Sequence, residues 1–143
     1  LRILALDLGS KRVGVALSDE MGWTAQGLTV LARTPKADFL AAVKELARNH
    51  EVERIVVGLP RRMDGSLGPE AQGVLDLVRE LEDCLGLEIV TWDERLSTAA
   101  AERTLLEADL SRKKRKQVRD KVAAVYILQG YLDFLSSPPG KPG

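Results

Sequence analysis

A chain of 143 residues is long enough for one domain with a buried core, and 45% hydrophobic with 29% charged residues marks a globular protein rather than a disordered or fibrous one. Its single cysteine, Cys84, and single histidine, His50, exclude an intrachain disulfide and a zinc site of Cys and His ligands, so the expected compartment is the reducing cytoplasm and any metal must be held mainly by oxygen. Lys and Arg number 21 and so do Asp and Glu, so net charge alone points to no partner, and no apolar run approaches the ~18 residues of a membrane helix.

No signal-peptide pattern opens the sequence, and Leu at position 1 suggests that an initiator methionine has been removed. Two apolar runs come first, Ile3-Leu4-Ala5-Leu6-Asp7-Leu8 and Arg12-Val13-Gly14-Val15-Ala16-Leu17-Ser18-Asp19. Gly9-Ser10-Lys11 between them predicts a hairpin. Asp7 interrupts the first run, and a buried ionised carboxylate costs several kcal/mol unless it is paired or coordinates a metal. It either bonds the turn amides around Gly9 or is a site carboxylate held at the rim of a sheet.

A third strand is predicted over 27–33. After Pro35 a helix follows over 38–49, with Phe39, Val43 and Leu46 at helical spacing and His50 at its end. Residues 54–60, Arg-Ile-Val-Val-Gly-Leu-Pro, form a continuously apolar strand of the kind buried on both faces in a parallel sheet. Asp64-Gly65 marks a turn, Pro69 opens a helix that runs to Leu85, and Gly86 stops it. Residues 87–92 are the fifth strand, with Asp93 and Glu94 just beyond it. Ser97 or Thr98 then caps a helix through about Glu107. Arg112 to Arg119 carries six positive charges in eight positions, and a last helix is expected over 117–135. Residues 1–135 thus read as one domain, and 136–143, rich in Pro and Gly, as a disordered tail.

This order predicts an α/β fold: a mixed five-stranded sheet, its first three strands antiparallel, flanked by helices. In open sheets of this kind sites gather at the carboxyl ends of strands, where Asp7, Pro60, Asp93 and Glu94 all fall. Asp120, Ala124, Ile127 and Tyr131 recur on one helical stripe, which turns Asp120 toward the core side. Carboxylates from the first strand, the fifth strand and the last helix could converge on a pair of divalent ions. Two ions about 3.5–4 Å apart stabilise both the attacking and the leaving oxygen of a phosphodiester displacement. Hard carboxylate oxygens suit Mg2+ or Mn2+. The plainer alternatives are a Glu94–Arg95 pair, and for Asp120 a helix-terminus carboxylate or a salt bridge to Arg119 or Lys116. Asp19 and Asp64 are candidates for a fourth acid, each with a ready explanation in a turn.

Lys11, Arg12, Arg61, Arg62, Lys113, Lys114 and Arg115 are the candidate phosphate contacts of a nucleic-acid surface. The alternative for the basic run is a solvated loop. Only 4% of residues are aromatic, so backbone recognition is expected to outweigh stacking on bases. Trp92 is better read as core.

Four segments together resemble a known family: Asp7-Leu8-Gly9-Ser10-Lys11-Arg12-Val13-Gly14-Val15-Ala16, Val57-Gly58-Leu59-Pro60, Asp93-Glu94-Arg95-Leu96-Ser97-Thr98 and Asp120-Lys121-Val122-Ala123-Ala124. They look like the motifs of the YqgF family, also called RuvX, in order and spacing. The resemblance implies a ribonuclease H-like fold and a nuclease that processes the small-subunit ribosomal RNA precursor. Resolution of Holliday junctions, four-way DNA structures, is the alternative activity. Asp7, Glu94 and Asp120 would be its catalytic, metal-binding acids, with Asp93 a further metal-ligand candidate inside the same motif. RNA would be the preferred partner and structured DNA a possible one, for a monomer or homodimer without membrane contact. Two rivals remain from other classes. An actin-like ATPase also begins with Asp-x-Gly and a hairpin but needs a far longer chain. A non-catalytic RNA-binding module would keep the fold without hydrolysis.

Overall fold

The computed structural model describes residues 2–94 and 112–136, the side chains of 112–120 excepted. Five strands, β1 (Ile3–Leu8), β2 (Arg12–Ser18), β3 (Ala25–Ala32), β4 (Arg54–Leu59) and β5 (Glu88–Asp93), form one sheet in the order β3-β2-β1-β4-β5. The first three pair antiparallel, while β4 and β5 join β1 in parallel. This is the mixed sheet expected from the sequence.

Three helices are present among the described residues: α1 (Lys36–Asn49), α2 (Pro69–Leu85) and α3 (Arg112–Ser136). Strand alternation sends Leu4, Leu6, Ile55, Val57 and Leu59 to one face, where Phe39 and Val43 of α1 and Val74, Leu77 and Leu81 of α2 cover them. Ile3, Ala5, Ala16 and Val56 face the other way and pack on Ala124, Ile127, Leu128 and Tyr131 of α3. The small residues Ala5, Ala16, Ala123 and Ala124 are all fully buried, which lets α3 lie close on the sheet. Each fully buried Leu, Ile or Val contributes roughly 1.5–3 kcal/mol, so the sheet is anchored from both sides. β4 is buried from Ile55 through Leu59, as a central parallel strand must be.

Local signals set the ends. Pro69 occupies the first turn of α2, and Gly86 takes φ +68° and returns its N–H to the Glu82 carbonyl. At the start of the sheet the Ile3 N–H donates to the Ser18 hydroxyl at 2.8 Å, which closes the β1–β2 ladder through a side chain. His50 is the C-terminal cap residue of α1.

Several boundaries differ from the sequence reading: α1 begins at Lys36 rather than 38, β4 ends at Leu59 rather than 60, and β5 runs Glu88–Asp93 rather than 87–92, which puts Asp93 in the strand. β3 begins at Ala25 because Gln26 and Ala25 continue the pairing with Leu17 and Ser18. α3 begins at Arg112, so the basic run is helical rather than a loop ahead of a helix starting at 117. The helix expected from Ser97 or Thr98 to Glu107, and the tail from 137 onward, lie outside the described residues.

Candidate active site

β1, β4 and β5 are parallel neighbours, so their carboxyl ends share one rim of the sheet. Alternation decides which residues meet there. On β1, Ala5 faces α3 and Asp7 follows two positions later on the same side; on β4, Val56 is followed by Gly58. On β5, Val90 and Trp92 face α3, and Glu94 continues that side just past the strand. Asp93 points to the opposite face, where its Oδ2 lies 3.9 Å from Nε of Arg61.

Asp7 and Glu94 accordingly line one cleft of about 420 Å³, together with Arg33, Pro60, Glu70 and Gly73. Two glycines make room for the acids. The Gly9 N–H donates to the carbonyls of Asp7, at 3.1 Å, and of Arg12, at 2.9 Å. A Cβ there would stand 2.6 Å from the Arg12 carbonyl oxygen, so the turn after Asp7 closes only around glycine. At Gly58 a Cβ would fall 2.6 Å from Cδ1 of Ile127 and 2.7 Å from Oε1 of Glu94. Glu94 therefore lies across the bare backbone of β4.

Asp120 is in α3, four residues before Ala124 and seven before Ile127, both buried against the sheet; its side chain is outside the described atoms. Among the described residues no group of three or more His, Cys, Asp or Glu side chains could hold a metal ion. Asp19 and Asp64 do not join the cleft. Asp19 Oδ1 accepts from the N–H groups of Trp23, at 2.7 Å, and Thr24, at 3.1 Å; the Thr24 bond leads in holding this carboxyl below its ordinary pKa of 3.8, against some desolvation. Asp64 Oδ1 accepts from the Ser66 N–H at 2.9 Å.

The basic candidates divide. Lys11 and Arg12 belong to the β1–β2 turn and the start of β2, at the cleft's rim; Arg61 and Arg62 are exposed just beyond β4. Lys113, Lys114 and Arg115 are in the first turns of α3. Lys121 of that helix lies beside Gly27, and Gln129 Oε1 accepts from the Ala25 N–H, so its amino-terminal half runs toward the Arg12–Ala32 end of the sheet. Trp92 packs edge-on against Tyr131, with ring centroids 5.7 Å apart.

Three residues of the cleft, Gly73, Glu70 and Arg33, were not singled out from the sequence. Gly73 within a helix carries the signal that glycine gives of an open space, as Gly58, inside a quoted motif, carries that of a close approach. Glu70 is one of several acids near a helix start. Arg33 carries no signal, because its bond from Nη1 to the Gly9 carbonyl, 2.8 Å long, joins residues 24 apart.

Comparison with known proteins is consistent across sequence and fold. A family model described as "RuvX: Holliday junction resolvase" matches residues 1–134. A relative from Moorella thermoacetica named "Putative pre-16S rRNA nuclease" is 60% identical over 135 residues, covering 94% of this chain and 96% of its own. One from Bacillus cytotoxicus with the same name is 55% identical, covering 93% and 98%. Among solved structures, T. thermophilus RuvC in complex with Holliday junction substrate superposes with a TM-score of 0.61 at 14% identity, covering 94% of this chain and 95% of that one. The fowlpox virus Holliday junction resolvase gives 0.57 at 12%, covering 94% and 99%. At such identities these two likenesses concern the fold, which is the ribonuclease H-like one.

Proposed function

This chain belongs to the RuvX family and is a phosphodiester-hydrolysing nuclease, and we propose that it processes the precursor of small-subunit ribosomal RNA in the cytoplasm. The observation that carries the reading is the meeting of Asp7 and Glu94 in one cleft at the carboxyl rim of the sheet. With Asp120, which shares a helical stripe with the buried Ala124 and Ile127, they are the proposed catalytic acids. The substrate follows the names of the relatives at 52–60% identity.

The donor set fits a hard divalent cation, Mg2+ or Mn2+: the cleft offers carboxylate oxygens, and neither the lone His50 nor the lone Cys84 lines it. Asp7, Glu94 and Asp120 would hold it. When bound, such an ion supplies an acidified water and neutralises charge on the phosphoryl oxygens. The protein's own residues do the rest. Gly58 and Gly9 let the two acids sit rigidly on backbone, so the carboxylates need little reorganisation during reaction. Asp93 pairs with Arg61 on the other face, which supports Glu94 rather than Asp93 as the second ligand. Lys11, Arg12, Arg61, Arg62 and the basic first turns of α3 would hold the substrate's phosphates. No helix among the described residues is long and apolar enough to cross a membrane.

A second reading, cleavage of four-way DNA junctions, is favoured by the family description and by the likeness to RuvC and the fowlpox resolvase. Junction symmetry would then call for a homodimer with two sites. Cleavage of matched RNA, single-stranded DNA and junction substrates with Mg2+, Mn2+ or EDTA, by the native protein and Asp7→Asn, decides among these. Metal-dependent cutting of RNA that is lost in Asp7→Asn is the expected result. Preferential cutting of junctions would replace the first reading by the second. Intact binding without any cutting would leave a non-catalytic module.

A further inference from the structure

The cleft is the middle of a longer trough that bends around the amino terminus of α2. On one side it shares Pro60, Pro69 and Glu70 with a depression lined by Arg61 and Arg62. On the other it shares Arg33 and Gly73 with a depression that reaches Lys36 and Glu80. The acids Asp7 and Glu94 therefore have an arginine-bearing depression to either side.

Arg33 differs from the neighbouring cations. Its backbone N–H donates to the Lys11 carbonyl at 3.0 Å and its Nη1 to the Gly9 carbonyl at 2.8 Å, which fixes the side chain at the trough wall. A guanidinium has five N–H donors, and one bond uses one of them. Lys36 is already engaged by Glu80 at 2.9 Å and Arg61 by Asp93 at 3.9 Å, whereas the half-buried Arg33 guanidinium has no ion pair among the described residues. A fixed, partly desolvated guanidinium without a carboxylate partner suits a phosphodiester, whose two oxygens match its planar fork.

Gly73 is the second observation. It lies within α2, where glycine weakens a helix, and it has no positive φ that would require it. A Cβ at this position would meet nothing within 4 Å. Packing does not demand a glycine here, and its missing side chain leaves the trough open between the acids and the Arg33 depression.

We infer that Arg33 is a phosphate-binding residue, and that the substrate strand crosses Gly73 to reach it on the side of the acids opposite Arg61 and Arg62. The inference rests on the nuclease reading and adds the path of the polynucleotide to it.

The test measures binding of a labelled single-stranded RNA, and of DNA of the same sequence, in EDTA by fluorescence anisotropy. It compares the native protein with Arg33→Met, Arg33→Lys, Gly73→Leu and Gly73→Ala. Hydrolysis of bis(p-nitrophenyl) phosphate, which has no flanking nucleotides to occupy the trough, is followed in parallel. Arg33→Met is expected to weaken binding about tenfold and to lower the log–log salt slope by about 0.7, with part of the loss restored in Arg33→Lys. Gly73→Leu, which leaves both bonds of Arg33 untouched, is expected to weaken binding to a similar extent, and Gly73→Ala to leave it within about twofold, since only bulk beyond Cβ enters the trough. The losses in RNA binding by Arg33→Met and Gly73→Leu are expected to exceed any loss of small-diester hydrolysis in the same proteins. Unchanged binding in both Arg33→Met and Gly73→Leu would overturn the inference. So would a loss of small-diester hydrolysis in Arg33→Met that exceeds its loss of RNA binding, which would make Arg33 a brace for the Asp7–Gly9 turn. If even the native protein hydrolyses neither polynucleotide nor small diester, the nuclease reading fails, while the binding series still decides the role of Arg33.

Discussion

Oε1 of Glu94 lies 2.7 Å from the point where Gly58 would carry a Cβ, so the position of the acid depends on the absence of a side chain on the neighbouring strand. The same missing methyl makes space for Cδ1 of Ile127, 2.6 Å from that point. Gly58→Ala must displace both, and overpacking of this kind costs about 1–3 kcal/mol. Thermal melts should register that loss together with a fall in nuclease turnover. Adding Ile127→Val removes the Cδ1 clash alone. The double variant is expected to regain stability without regaining turnover, because Glu94 remains displaced. Recovery of both would mean that the helix packing, not Glu94, governs the site.

Glu94 and Asp93 are adjacent in sequence and opposed in space, one on the cleft and the other beside Arg61. Glu94→Gln keeps the shape of the side chain and removes its charge, and it is expected to lower kcat by about 100-fold or more if electrostatic stabilisation at the cleft is its role. Asp93→Asn loosens a partly exposed ion pair worth about 1 kcal/mol or less, so it should change turnover by a fewfold at most. Single-turnover cleavage rates with saturating Mg2+ separate the two. Equal losses would show that the motif acts as one unit.

The elements whose signals are local were legible in the sequence, and those set by distant pairing were not. α2 runs from Pro69 to Leu85 as expected, because a proline opens it and Gly86 closes it. β4 could be read from its apolar run alone. β3 starts two residues earlier than expected because its extent is fixed by pairing with Leu17 and Ser18 on β2. The described part of α3 starts at Arg112, five residues before the expected start, although positive charges such as those of Arg112 to Lys116 are unfavourable at a helix amino terminus. Within the cleft, Asp7 and Glu94 were legible as acids at strand ends. Which of Glu94 and Asp93 faces the cleft needed the facing of β5, and the placement of Arg33 in the cleft needed a hydrogen bond made across the hairpin turn.

Asp19 stabilises the β2–β3 connection as a carboxylate, with Thr24 and Trp23 donating to Oδ1. These bonds hold its folded pKa below the ordinary 3.8, the Thr24 bond most strongly. A group with a depressed folded pKa contributes stability that is fully present above its unfolded value and is lost as the pH falls through the folded one. Asp19→Ala should therefore lower Tm at pH 7, and the gap from the native protein should narrow below pH 3.8. Melting curves at several pH values check the sign. A gap that does not depend on pH would assign the loss to turn geometry rather than to the charge.

The basic start of α3 sets stability against binding. Lys113, Lys114 and Arg115 sit at the positive end of the helix dipole, where each added positive charge is unfavourable by about 0.3–1 kcal/mol. A bound phosphate backbone reverses that balance, since the dipole and the side-chain charges then attract the same anions. Replacing all three with Gln should raise Tm in low salt while weakening RNA binding across sequences. The log–log salt slope should fall by about 2, at about 0.7 for each single-strand phosphate no longer neutralised. Melting and anisotropy titrations over a range of KCl concentrations measure both effects on the same protein. Opposite movements of Tm and affinity would identify the run as a polyanion-binding surface. Unchanged affinity in low salt would show that the run is a solvated helix end, and the nucleic-acid surface would then have to be sought at Arg33, Arg61 and Arg62.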